Sequence, residues 1–305
     1  MQVIPVDLIQ IASPQRTPGP RLPEWVRSGA THYRALHDLK IEFRERNLHT
    51  VCESARCPNI HECFSRKVAT FMILGNVCSR RCGFCAVPQG TPEALDPDEP
   101  RLVAEMAHLM GLRHVVITSV NRDELPDGGS DHFAQTVRAV QKLLPEARVE
   151  VLTPDFLGDT DAVARVLDAG PDVFNHNMET VSRLYRRVRP QAIYERSLQV
   201  LAFAKRYRPQ VMTKSGLMVG LGETEAEVRR LLDDLRAADT DVVTIGQYLQ
   251  PARRRLPVEE FVRPEVFETY REYGESIGFR AVFSGPLVRS SYMAEQVAES
   301  AVATA

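Results

Sequence analysis

The chain has 305 residues, 44% hydrophobic and 26% charged, with 38 Lys and Arg against 40 Asp and Glu for a formal charge of −2. That length builds one large domain or two small ones around a sizeable core. The balanced charge excludes the basic footprint of a general nucleic-acid binder, and no run of about 18 apolar residues is present to span a membrane.

The first residues, MQVIPVDLIQIASPQR, lack the basic start and apolar core of a secretory signal, so the expected compartment is the cytoplasm. Residues 1–48 are rich in Pro and Arg and read as an extended arm with a helix over 29–46. From residue 69 the pattern is regular. An apolar run at 69–74 reads as a strand and leads into a Cys-rich loop. Helical spacing follows at 99–110, then a buried strand at 114–118. A helix spans 131–144, with Asp131 as its N-cap and Phe133, Val137, Val140 and Leu144 on one face. A strand is predicted at 148–152, a helix at 161–169 ended by Gly170 and Pro171, and a strand at 172–175. Helices at 181–187 and 194–207, a strand at 211–219, a helix at 223–238 and a strand at 241–247 come next. A helix at 264–278 and a strand at 279–283 are last.

Six strands alternating with helices across 69–247 imply parallel pairing with right-handed crossovers. A doubly wound sheet and a barrel both satisfy this, and an incomplete (β/α) barrel fits the six units better. Either way the site lies at the carboxyl ends of the strands. Those positions are polar: Cys78, Ser119, Thr153, Asn175, His176, Asn177, Gly220, Gln247 and Tyr248.

All six cysteines fall between Cys52 and Cys85. In a reducing compartment clustered thiols bind metal or do redox chemistry more often than they pair as disulfides. Cys78, Cys82 and Cys85 form a C-x3-C-x2-C triplet. Three thiolates on one short loop can hold three irons of a four-iron, four-sulfur cluster and leave one iron open. An open position marks a catalytic rather than a structural metal centre. Cys52, Cys57 and Cys63 form a second triplet, C-x4-C-x5-C, again with no fourth thiol. Two zinc sites completed by His61 or another His are the competing reading, but neither triplet offers the paired C-x2-C spacing usual for zinc. Packed, inert cysteines are another. A metal-bearing nucleic-acid module is a third, and its basic footprint is missing.

With both triplets, the chain resembles the radical S-adenosylmethionine (SAM) superfamily, and more narrowly its lipoyl synthase family. The resemblance runs through residues 50–63 (TVCESARCPNIHEC), 69–75 (ATFMILG), 78–87 (CSRRCGFCAV), 118–129 (TSVNRDELPDGG), 175–180 (NHNMET), 214–224 (KSGLMVGLGET), 247–251 (QYLQP) and 284–292 (SGPLVRSSY). It covers about 23–294. Two positions depart from the family pattern: Asn121 stands where Asp is usual, and Arg255 where His is common.

The resemblance implies a partial (β/α)6 TIM-like barrel over residues 69–260, an N-terminal extension over 1–68, and a closing C-terminal segment over 261–305. It implies two 4Fe-4S clusters, with SAM as co-substrate, two per turnover. Cys78, Cys82 and Cys85 would hold the cluster whose open iron chelates SAM. Cys52, Cys57, Cys63 and Ser291 would hold an auxiliary cluster that donates sulfur; Ser290 is the less favoured alternative. Ser119, Asn177, Glu179 and Arg189 are candidate SAM contacts, with Phe84 and Ala86 packing on SAM beside the last thiolate. Helix capping and structural hydrogen bonding are the plainer roles for the polar four. The implied reaction inserts sulfur at carbons 6 and 8 of an octanoyl chain on a lysine of a lipoyl carrier domain. That carrier would be the glycine cleavage H protein or a 2-oxoacid dehydrogenase E2 subunit. A flavodoxin or ferredoxin would supply electrons, and a cluster-repair carrier would restore the donor. A biotin-synthase-like sulfur inserter acting on a free small molecule is the alternative.

Three further features carry two readings each. Gly220 and Gly222 suggest a phosphate loop but lack the rest of either nucleotide fingerprint, so a plain turn is expected. His176 has no second His near it in sequence to share a metal. Arg183, Arg186, Arg187, Arg189 and the run Arg253, Arg254, Arg255 either dock an acidic carrier or form solvated faces.

Overall fold

The computed structural model describes residues 22–26, 33–54, 57, 59–65 and 68–291. The amino-terminal segment contributes helix α1 (Tyr33–Glu45), the two-residue strand β1 (His49–Thr50) and the short helices α2 (Val51–Ser54) and α3 (Ile60–Ser65). The regular alternation then begins with β2 (Val68–Ile73), α4 (Glu99–Leu109), β3 (His114–Ser119), α5 (Ser130–Leu143), β4 (Arg148–Leu152), α6 (Thr160–Asp168) and β5 (Val173–Asn175). It continues through α7 (Tyr185–Val188), α8 (Tyr194–Tyr207), β6 (Met212–Val219), α9 (Glu225–Ala237), β7 (Val242–Gln247), α10 (Pro264–Ser276) and β8 (Ala281–Gly285).

These strands form one sheet in strict chain order, β1 to β8. From β2 to β8 every neighbouring pair is parallel, while β1 runs antiparallel to β2. A doubly wound sheet reverses its order at a switch point; this one never does, so it curls in one direction as a partial barrel. Among the described residues no pairing joins β8 back to the first strands, and the barrel stays open. The helices stack around it, α4 on α5, α5 on α6, α6 on α8 and α9 on α10.

The apolar interior of the described residues has two large cores and a small third one of Val173, Met212 and Val242. One large core gathers β2, β3 and β4 with α4, α5 and α6; the other large one gathers β6 and β7 with α7, α9 and α10. Strands β2 and β7 are buried along their whole length, as parallel strands covered on both faces must be.

Local chemistry explains where the predicted bounds moved. Helix α5 is not capped by Asp131. Its N-cap is Gly129, with φ of +87°, and the Asp127 carboxylate accepts from the Gly129 and Asp131 N–H groups and the Ser130 hydroxyl. The segment expected as a helix over 181–187 splits into a 3-10 turn at Ser182–Leu184 and the four-residue α7. The last strand starts at Ala281 because Gly278, at φ +95°, completes the turn after α10. Instead of standing apart, it joins the sheet beside β7 as a seventh parallel strand. The start of the helix expected from residue 29, and Tyr292 in the closing motif, lie outside the described residues.

Candidate active site

The first thiol triplet sits on the loop that leaves the carboxyl end of β2. Cys78 N–H donates to the Pro88 carbonyl at 2.8 Å, and Gly90 N–H donates to Cys78 O at 3.1 Å, closing the loop on itself. Gly83 N–H donates to Val188 O at 2.8 Å, and Leu256 N–H donates to Gly83 O at 3.0 Å. The loop is thereby pinned to α7 and to the segment after β7, on the far side of the barrel from β2. Burial pushes the Cys82 thiol up to about 12, with Arg189 pulling the other way and Cys85, Cys78 and Glu179 adding to the rise. Burial also raises Cys85, against the Val87 N–H. Thiols this buried are poor as free nucleophiles and become thiolates on binding a metal.

Arg80, between the first two cysteines, is buried and clamps the loop from beneath. Its Nε and Nη2 donate to Asp123 at 2.6 and 2.8 Å, and Nη2 donates also to Asp155 at 2.5 Å. Burial works against the Asp155 carboxylate, yet Arg80 overrides it and holds Asp155 at about 2. Neither Arg80 nor its partners were singled out in the sequence. Their signal is weak there, since the three lie in separate βα loops.

Three of the candidate SAM contacts, Asn177, Glu179 and Arg189, come together beside this triplet. Arg189 Nη1 donates to the Asn177 and Met178 carbonyls at 2.8 and 3.2 Å, and to the Tyr185 hydroxyl at 3.3 Å. Asn177 Nδ2 donates to Glu179 Oε1 at 3.0 Å. Glu179 has a left-handed backbone, φ +65°, and bridges to Leu217. Burial raises its carboxyl, opposed by Arg189 and Asn177. Arg189 is itself raised: burial pulls it down, but Tyr185 and Glu179 outweigh that. Ser119 closes β3 with its hydroxyl buried. Phe84 packs against the core on the β6–β7 side, and Ala86 is half-buried next to Cys85.

A row of buried polar atoms without partners lines this end of the barrel. Ser119 Oγ, Thr153 Oγ1, Asn175 Oδ1, Asn177 Oδ1 and Arg189 Nε all belong to it. Buried polar groups are almost always satisfied, so a concentration of orphans at one end points to a polar ligand. The set offers donors and acceptors together, which fits the hydroxyls, ammonium and carboxylate of SAM.

The second triplet lies beside the barrel on the amino-terminal segment. Cys57 N–H donates to Cys52 O at 3.0 Å and Cys63 N–H to Asn59 O at 2.9 Å, so tight turns carry the chain from one cysteine to the next. Burial pushes Cys52 up to about 11, with Cys57 adding to it and Thr70 opposing. Burial also raises Cys57, against the Asn59 N–H and the Arg289 cation.

The carboxyl-terminal segment reaches this triplet. Asn59 Nδ2 donates to Leu287 O at 2.7 Å. Gly246 on β7 has no room for a side chain, because an added Cβ would collide with the Val288 carbonyl oxygen. Burial holds Arg289 below the usual guanidinium range, with Cys57 opposing that. Ser291 follows two residues later at the edge of the described chain. Among the described residues no three His, Cys, Asp or Glu side chains converge on a single-ion site; the thiolates of a four-iron cluster stand on separate irons and are spaced more widely than one zinc requires. The His61 side chain lies outside the described residues.

The remaining candidates resolve into structural roles. Gly220 and Leu221 N–H groups donate to the Glu223 carboxylate at 2.5 and 3.0 Å, so the turn carries its own anion where a phosphate would sit. His176 Nδ1 donates to Thr153 O at 2.9 Å and Nε2 faces Ser197 Oγ at 3.0 Å. Gln247 and Tyr248 tie down the loop after β7, through Glu260 O and Leu256 O respectively. The basic stretch is no free docking surface as a whole. Arg183 is paired with Glu227, Arg187 with Glu259, and Arg189 faces inward. Arg255 also turns inward, with Nη2 at 3.4 Å from Val87 O.

The family model for the radical SAM superfamily matches residues 72–235, and the model for the N-terminal domain of lipoyl synthase matches residues 10–57. A lipoyl synthase of Rubrobacter xylanophilus is 56% identical over 92% of this chain and 87% of its own. One of Symbiobacterium thermophilum is 53% identical over 98% of this chain and 93% of its own. Among solved structures, Streptococcus suis SuiB bound to S-adenosylmethionine superposes with a TM-score of 0.54 at 12% identity, covering 72% of this chain and 50% of that one. At that identity it speaks to the fold alone.

Proposed function

The chain belongs to the lipoyl synthase family of the radical SAM superfamily, and we infer from this that its barrel mouth carries out the family's reaction on an octanoyl chain borne by a lysine of a lipoyl carrier domain. Two sulfur atoms enter, at carbons 6 and 8. The enzyme is a sulfurtransferase with two 4Fe-4S clusters as cofactors and SAM as co-substrate. When bound, the first cluster supplies one electron that splits SAM to methionine and a 5′-deoxyadenosyl radical able to take hydrogen from an alkyl carbon. The alternative of a small-molecule sulfur inserter is not favoured, because the long-coverage relatives are lipoyl synthases.

The single observation that carries this reading is the junction of Asn59 with Leu287. It ties the closing segment at Leu287 to the second triplet's loop while that segment also crosses β7 at Gly246, which supports Ser291, four residues on, as the fourth ligand. A sulfur source at the rim of a radical-generating barrel is the arrangement the reaction needs.

The division of labour among residues follows. Cys78, Cys82 and Cys85 hold the SAM-binding cluster. Asn177, Ser119 and Arg189 bind and orient SAM with polar atoms that lack protein partners, joined by the Glu179 carboxylate; Phe84 and Ala86 shape the wall beside the last thiolate. Cys52, Cys57, Cys63 and Ser291 hold the sacrificial cluster, and the closing segment, described as far as residue 291, helps shield the site from water. Residues 1–68 form the extension and 69–260 the barrel. The carrier is the glycine cleavage H protein or a dehydrogenase E2 subunit, the electron donor a flavodoxin or ferredoxin, and the compartment the cytoplasm. Giving up two sulfurs consumes the donor, so a repair carrier is required. Among the described residues no helix is long and apolar enough to cross a membrane.

Anaerobic reconstitution tests the whole. About eight irons and eight sulfides per chain are expected, as two four-iron cubanes require. With SAM, dithionite and an octanoylated carrier peptide, mass spectrometry then shows two added sulfurs, and chromatography shows 5′-deoxyadenosine. A single cubane, or deoxyadenosine without sulfur addition, overturns the assignment.

A further inference from the structure

We propose that the side chain of Asn121 sets the reduction potential of the cluster held by Cys78, Cys82 and Cys85. The inference rests on the cluster assignment above and concerns a residue outside both thiol triplets. Asn121 lies in the loop after β3 and meets the Cys78 sulfur twice. Its backbone N–H donates to Sγ at 3.3 Å, and its Nδ2 donates at 3.8 Å. Its carbonyl oxygen accepts from Ser79 N–H at 3.1 Å and from the Ser79 hydroxyl at 2.9 Å. The backbone of Asn121 is therefore clamped to the cluster loop through both its N–H and its carbonyl.

The orientation of the amide is chemically determined. A thiolate ligand only accepts hydrogen bonds, so the NH2 end must face it and the carbonyl end must face away. Asn121 Oδ1 is accordingly buried without a partner. Leaving an acceptor orphaned costs free energy, and only the contact of Nδ2 with sulfur offsets that here. Donors onto a cluster sulfur withdraw electron density from iron and stabilise the reduced state. The backbone donor would survive any substitution except proline. The side-chain donor is particular to Asn, and an Asp at this position would place a carboxylate against the thiolate instead.

The test is a redox titration of the reconstituted holoenzyme followed by electron paramagnetic resonance, in the native chain and in Asn121→Asp and Asn121→Leu. The signal perturbed by added SAM reports the Cys78 site, and the other cluster is an internal reference. Both variants remove the donor and Asp also adds a negative charge. Both should therefore lower the midpoint of the SAM-responsive signal, Asp the more, with the reference unmoved. An unchanged midpoint in both overturns the proposal, as does an equal shift of both clusters. Loss of the SAM-responsive cluster from both variants, with the fold intact by circular dichroism, overturns it in favour of a role in assembly. If the native chain shows no SAM-responsive signal, it is the cluster assignment that fails.

Discussion

Asn59 and Leu287 stand 228 positions apart in the chain, yet the side-chain Nδ2 of one donates to the backbone oxygen of the other at 2.7 Å. Asn59 is 3% exposed, so water cannot replace it. Its own carbonyl accepts from Cys63 N–H, which places this contact inside the second thiol triplet. Replacing Asn59 with Leu strands the Leu287 oxygen at a cost of about 1–3 kcal/mol. The closing segment should loosen. Expected is a reconstituted Asn59→Leu protein whose SAM-responsive cluster is intact but whose iron and sulfide fall toward half. A full complement of both would show that the contact does not secure the triplet.

Much of this was legible in the sequence, for identifiable reasons. The thiol triplets are local in sequence, and β2 through β7 announce themselves as short apolar runs between amphipathic helices. The Asn59–Leu287 junction was not legible, because nothing in either segment encodes a partner so far along the chain. Asp127 was missed as the group capping α5, since a Gly-Gly pair separates it from the helix and only their left-handed backbone folds it back. The arginines around 183–189 carried two readings because the acids that neutralise Arg183 and Arg187 arrive from α9 and from the loop after β7.

Ser291 supplies the second prediction. An oxygen donor binds iron less readily than a thiolate in a sulfur-rich environment, so an iron held by Ser291 would be the one most easily released. Loss of that iron would bare a bridging sulfide to the substrate. Ser291→Cys should therefore give a cluster that assembles fully but donates poorly. Measured together, iron content would stay at the native level while doubly sulfurated product per chain falls severalfold. Ser290→Cys should leave the yield near native. Normal yield from Ser291→Cys would remove the serine from the mechanism.

The floor of the barrel holds a charge pair with no route to the reaction. Lys214 Nζ lies 3.0 and 3.1 Å from the Glu150 oxygens, both side chains fully buried, with Asn175 Nδ2 also donating to Glu150 at 3.0 Å. His114 approaches the same carboxylate at 3.5 Å. Burial alone would raise Glu150, but Lys214 and His114 hold it at about 2. Removing one partner of such a pair costs roughly 3–5 kcal/mol, whereas replacing both is often neutral. Lys214→Met should lower the denaturation midpoint sharply, and the double variant Lys214→Met with Glu150→Gln should recover most of it. The single variant's deficit should shrink in acid, where its stranded carboxyl takes up a proton. Equal instability of the single and double variants would refute this.

His176 predicts a second acid effect with a different window. Its Nδ1 proton is given to the Thr153 oxygen, and burial, reinforced by Arg189, lowers its pKa to about 4 against the pull of Asp155. The unfolded chain binds a proton at this residue near pH 6.5, the folded chain only near 4. Between those values the unfolded state holds more protons, so stability rises with pH across the window. The contribution is complete above pH 6.5 and fades as pH falls toward 4, by about 3 kcal/mol in all. Glu150 acts lower, its contribution disappearing between about pH 4.5 and 2. The two are separable by substitution. His176→Gln keeps a donor for the Thr153 oxygen but cannot titrate. It should therefore flatten the slope of unfolding free energy between pH 6.5 and 4 and leave the steeper fall below 4 in place. Urea melts of the protein at half-unit steps of pH would read both limbs. An unaltered slope in the variant would mean that His176 does not titrate with folding.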